Sequence, residues 1–91
     1  MSEPVRRRVV VRGHVQGVFF RGTTRREALR RGVAGWVTNR PDGAVEAVFE
    51  GSPADVDALV RFCSAGPRGA DVRDVSVTEE PPQGLGSFEV R

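Results

Sequence analysis

In the stretch VRRRVVVRG, residues 5–13, Val9 and Val11 fall on one face, while Arg8, Val10 and Arg12 fall on the other. That alternation predicts a strand with one buried face. A glycine-punctuated loop follows, GHVQGVFFRG, and then TTRREALRRG, which predicts a helix over about residues 22–31 with Gly32 as its C-cap. VAGWVTN, residues 33–39, is rich in β-formers and predicts a second strand. RPDG at 40–43 is a turn signal. In AVEAVFEG, Val45, Ala47 and Phe49 share one face and Glu46 and Glu50 the other, so a third strand completes a hairpin. Ser52 as N-cap, Pro53 at the first helical position and Asp55 two residues on open a second helix. Val56, Leu59, Val60 and Cys63 give it one apolar stripe, and Gly66-Pro67 ends it. ADVRDVSVTEE, residues 70–80, predicts a fourth strand with Val75 and Val77 on one face. PPQGLG reads as a loop, and SFEVR as a short terminal edge strand.

The order is β-α-β-β-α-β with a short extra C-terminal strand. Both helices must cover the apolar face, which predicts an α+β two-layer sandwich. The ferredoxin-like arrangement, with two helices on one face of an antiparallel sheet, fits that order. In it the third strand lies between the first two, which run in the same direction. Their C-terminal ends then share one edge of the sheet. One end carries the loop 14–20 and Arg21, and the other carries Thr38 and Asn39.

Composition narrows the chemistry. At 91 residues, one domain over 1–91 is expected. No apolar run is long enough to span a membrane, and MSEPVRRR has no signal-peptide stretch, so a cytoplasmic protein without membrane partners is expected. One cysteine and one histidine leave no metal cluster to expect. All fourteen basic residues are arginine. Residues 1–40 hold ten of them against Glu3 and Glu27, a net +8, whereas residues 41–91 are −6. Either an anionic partner meets the basic half, or the two halves pair across one sheet. Arg6, Arg7, Arg8 and Arg12 opposite Glu46 and Glu50 would realise the second possibility.

The shared edge offers backbone amides at a helix N-terminus, one arginine and one asparagine. A glycine-containing loop opening into a helix makes an anion nest, and the helix dipole adds positive potential there. The arginine fork matches phosphate oxygens. The dipole disfavours Arg21 at a helix start, so its placement points to a ligand. Such a set suits a phosphate held without metal. Acyl phosphates are hydrolysed with a carboxylate as leaving group, and carboxylic acids titrate near pH 4, so no general acid is needed. Asn39 could orient the water through its side-chain carbonyl.

GHVQGVFFR (13–21) and GWVTNRPDGAVE (35–46) resemble the two signature segments of acylphosphatases. The likeness extends to FEG at 49–51, the helix ending in GP and the final FEVR. The resemblance implies a single acylphosphatase-like domain that hydrolyses small acyl phosphates to carboxylate and orthophosphate, with no cofactor. It implies that Arg21 binds phosphate, that Asn39 orients water, and that the amides of Val15, Gln16, Gly17, Val18, Phe19 and Phe20 bind phosphate oxygens. A monomer is expected, with phosphate or sulfate able to occupy the site.

Other readings of single residues compete with this. Gly17 suits a tight turn. Of the adjacent Phe19 and Phe20, one is expected in the core and one at the site's mouth. His14 looks reactive but lies outside the motif positions. Cys63, on the apolar stripe, reads as a core thiol, and Trp36 as core packing. A nucleic-acid platform would need stacking aromatics on the open sheet face. The residues expected there are Arg8, Val10, Arg12, Glu46, Val48 and Glu50, so no nucleic-acid partner is expected.

Overall fold

The strands pair into one five-stranded sheet, and the reasons lie in the alternation described above. The computed structural model describes residues 3–91. Its elements are β1 (Val5–His14), α1 (Phe20–Arg31), β2 (Ala34–Asn39), β3 (Val45–Gly51), α2 (Pro53–Ala65), β4 (Asp71–Glu80) and β5 (Phe88–Val90). The strand order is β4-β1-β3-β2-β5. β3 pairs antiparallel with both β1 and β2, with Val9 opposite Ala47 and Val37 opposite Ala47. β1 and β2 therefore run in the same direction, as the ferredoxin-like topology requires. One feature of the expected sheet is corrected: it is mixed, because β5 joins β2 in parallel. The chain leaves β4 at one edge, crosses the sheet through residues 81–87 and enters the opposite edge.

The core lies between the sheet and the two helices. Val9, Val11, Val37, Val45, Ala47 and Phe49 meet Phe20, Ala28, Val56, Leu59 and Cys63 there. Phe88 stacks on Phe49 at 5.8 Å between centroids, which ties the short β5 to the core. Ser52 caps α2 by accepting from the Asp55 amide, and Pro53 follows it, as expected. Burial pushes the Cys63 thiol up to about 12, against a hydrogen bond with Thr24, so the sulfur is an inert core group. Val75 packs against the core, but Val77, farther along the edge strand β4, is half exposed.

The open face of the sheet differs from expectation. Trp36 is not a core residue: it stands opposite Val48 on the open face, because its neighbour Val37 takes the core side. The guanidinium carbons of Arg8 and Arg91 lie over its ring, 5.5 Å and 4.9 Å from the centroid. Val48 is consequently buried on a face expected to be open. The two oppositely charged halves do pair across this face. Arg8 bonds Glu46 and Glu80, and Arg6 bonds Glu50 and Glu80. Arg7 instead points to the helix side, where it meets Asp57.

Glu50 shows how much such a pair can order. It is 5% exposed and Arg6 is 4% exposed. One carboxylate oxygen accepts from the Gly84 amide at 2.6 Å and the Leu85 amide at 3.1 Å. The other accepts from the Gln83 amide at 3.0 Å and from Arg6 at 3.3 Å. Burial pushes this carboxyl up, but the three amides and Arg6 more than offset it and hold it below the usual carboxylate range. Glu50 thereby fastens the connection that delivers β5. Because the native form binds its proton less readily than the unfolded chain, this stabilisation is present above the unfolded value, about pH 4.3. It is lost as pH falls through the lower native value. Glu50→Gln turns one acceptor into a donor facing N–H groups. It should cost about 2–3 kcal/mol at pH 7 and flatten the acid limb of a melting-temperature profile between pH 3 and 7. An unchanged profile would refute the role.

Candidate active site

The loop after β1 turns on residues whose backbone leaves the ordinary regions. Gly17 has φ 77°, the tight turn expected of it, and Phe19 has φ 59° and ψ 30°. Val15 is fully buried and anchors the loop to the core. Among the described residues, no backbone acceptor outside the regular elements takes a hydrogen bond from the amides of Val15, Gln16, Gly17, Val18 or Phe19. The first helical bond of α1 runs from the Thr23 amide to the Phe19 carbonyl. The amides of Phe20, Arg21 and Gly22 therefore have no acceptor within the helix. α1 begins two residues before the expected start, since left-handed Phe19 turns the chain and lets Phe20 enter the core beside Phe62. Arg21 thus lies inside the first helical turn.

Gln16 adds something the sequence reading did not contain. Its side-chain amide donates to the Arg40 carbonyl at 2.8 Å and to the Ala44 carbonyl at 2.9 Å. These are the two ends of the β2–β3 turn, where the Arg40 amide also donates to the Ala44 carbonyl. The loop is thereby clamped to the hairpin that bears Asn39, the last residue of β2. Asp42 stabilises the same turn. The Ala44 amide is the largest influence holding its carboxyl below the usual range; desolvation opposes it, and Arg12 and Arg40 assist.

Arg21 is oriented from the other side. Its Nη1 donates to the Arg91 carbonyl oxygen at 3.1 Å, as does the Thr38 hydroxyl at 3.1 Å. The Arg91 amide in turn donates to the Val37 carbonyl at 2.8 Å. One guanidinium nitrogen is occupied, and the remaining donors of the fork are available to a ligand. The Asn39 side chain, partly buried, makes no hydrogen bond to another described residue.

Arg21 and Asn39 line one cavity of about 420 Å³, together with Val15, Gly17, Phe19 and Val90 among others. That size suits a small-molecule ligand. Of the two phenylalanines, Phe20 is in the core and Phe19 is at the mouth, as expected. His14 is exposed at the end of β1, in register with Asp71, and is not among the cavity's walls. The sequence reading missed the side chain of Gln16 and the contributions of Thr38, Val90 and Arg91. The only signal for the last two was the terminal FEVR stretch.

A family model described as acylphosphatase matches residues 7–90. An acylphosphatase of a Synechococcus species is 54% identical over 91 residues, covering all of this chain and 97% of that one. Among solved structures, an acylphosphatase from Coxiella burnetii is 35% identical with a TM-score of 0.92, covering 97% of this chain and 93% of that one. The crystal structure of acylphosphatase from Bacillus subtilis is 39% identical with a TM-score of 0.91, covering 96% and 98%. With a match over nearly its whole length, the chain belongs to the acylphosphatase family and is an acyl phosphate hydrolase.

Proposed function

We propose that this site hydrolyses small acyl phosphates without a metal. Arg21 and the amides of Val15, Gln16, Gly17, Val18, Phe19 and Phe20 bind the phosphoryl oxygens, and Asn39 orients the water. The observation that supports this reading is that Arg21, Asn39 and four of the loop residues, Val15, Gly17, Phe19 and Phe20, line one cavity, while the loop amides take no backbone acceptor among the described residues. A helix N-terminus and an arginine together stabilise the charge spread over phosphoryl oxygens. Asn39 accepts a hydrogen bond from water through its carbonyl. The water oxygen bonds to phosphorus, the bond from phosphorus to the carboxyl oxygen breaks, and the carboxylate leaves with the electron pair. The proton lost by the water ends on the phosphate or in solvent. A carboxylate is a stable leaving group near neutral pH, so neither a general acid nor a Lewis acid is needed.

On this reading residues 1–91 act as one acylphosphatase-like domain, as a monomer in the cytoplasm, and inorganic phosphate or sulfate competes for the site. Phosphate release from benzoyl phosphate and acetyl phosphate is the direct test. Release should persist in EDTA and be slow or absent with simple phosphate monoesters. Activity lost in EDTA and restored by a divalent metal would overturn the mechanism.

A further inference from the structure

Phe19 is an expensive residue in its place. It is the one non-glycine with positive φ among the described residues, and the left-handed region disfavours bulky side chains. The ring is 69% exposed and takes no part in the core cluster. It lies on Gly22, where a Cβ would come within 2.6 Å of its Cζ. Any other residue at 22 would displace the ring. Four large apolar side chains are exposed among the described residues: Phe19, Leu29, Val77 and Val90. Two of the four, Phe19 and Val90, line the cavity that holds Arg21. The turn into α1 requires the left-handed backbone at 19, but glycine or asparagine would supply it at less cost, and packing does not account for an exposed aromatic ring there. Strain of this kind is characteristic of ligand-contacting positions.

We propose that Phe19 and Val90 form a platform for the acyl group, giving this enzyme a preference for acyl phosphates with large, flat, apolar acyl groups over short ones. The inference rests on the reading of Arg21 and the loop amides as the phosphoryl site. A phosphoryl group held there leaves the acyl group to the rest of the cavity. That remainder includes an aromatic face and a valine, both already exposed. Covering them with an apolar acyl group removes surface from water on both sides, and an aromatic acyl group adds ring-on-ring contact. A short acyl group covers less of either.

The test is the ratio of kcat/KM for benzoyl phosphate to that for acetyl phosphate in the wild type, Phe19→Asn and Phe19→Tyr. Asparagine tolerates the left-handed backbone but removes the ring; tyrosine keeps it. The ratio should fall about three- to tenfold in Phe19→Asn and stay near the wild-type value in Phe19→Tyr. Thermal melting of Phe19→Asn at or above the wild-type temperature would show that the ring is not there for stability. The platform is refuted if Phe19→Asn keeps the wild-type ratio, or if Phe19→Tyr loses as much as Phe19→Asn. Binding of phenylphosphonate and methylphosphonate by calorimetry separates this from the hydrolase reading. If the wild type cleaves neither acyl phosphate, the catalytic reading fails. The platform then stands if the wild type favours phenylphosphonate more than Phe19→Asn does, and falls if the two proteins discriminate equally.

Discussion

Arg21→Ala should lower kcat/KM for benzoyl phosphate about a thousandfold, with a large share of the loss in phosphate affinity. The guanidinium lines the cavity beside the start of α1, where a single side chain supplies several donors to phosphoryl oxygens. Its one hydrogen bond within the described molecule is to the Arg91 carbonyl, at an exposed position. The variant should therefore fold and melt close to the wild type, which separates the loss from unfolding. Arg21→Lys should recover only part of the rate, since an ammonium keeps the charge but not the fork. The inhibition constant of inorganic phosphate checks the assignment. An Arg21→Ala protein inhibited by phosphate as strongly as the wild type would show that the arginine does not hold the phosphoryl group.

Asn39→Ala should reduce kcat about a hundredfold while leaving phosphate inhibition near its wild-type strength. An orienting group acts on the water, not on the bound anion. Loss of alignment therefore appears in turnover more than in binding. The side chain has no hydrogen-bonding partner among the described residues, so its removal leaves no buried donor or acceptor stranded. Asn39→Asp should be informative in a different way, because a carboxylate beside the phosphoryl group repels it and should weaken phosphate inhibition. If Asn39→Ala turns over at the wild-type rate, the water-orienting role is wrong.

The elements whose signals are local were legible along the chain. Ser52, Pro53 and Asp55 specify the start of α2 through contacts within four residues, and the structure shows them in those roles. The alternation of Val45, Ala47 and Phe49 assigned the core face of β3 because side chains of a strand alternate with period two. Signals of that kind failed where a neighbour competed. Trp36 and Val37 are both apolar, and only Val37 could take the core side of β2. The start of α1 is not legible in the sequence, because its N-cap is a phenylalanine in a left-handed conformation, with no side-chain cap to announce it. The parallel entry of β5 depends on residues 83–85 meeting Glu50, 33 to 35 positions away.

The two signature stretches, read with the order of the elements, already placed Arg21 and Asn39 at one edge of a sheet. They did so because a β-α-β unit with a strand inserted between its two strands leaves both C-terminal ends together. What holds the site in shape was decided in three dimensions. Gln16 reaches the turn 24 and 28 residues away, and Arg21 is steered by a carbonyl 70 residues away. Those contacts have no periodicity, since each joins one side chain to one backbone carbonyl. They come into being only after the strands have paired and the core has set their register. A glutamine or a terminal arginine read in isolation carries no mark of its partner, and the same hydrogen-bonding capacity would be spent on water in an unfolded chain.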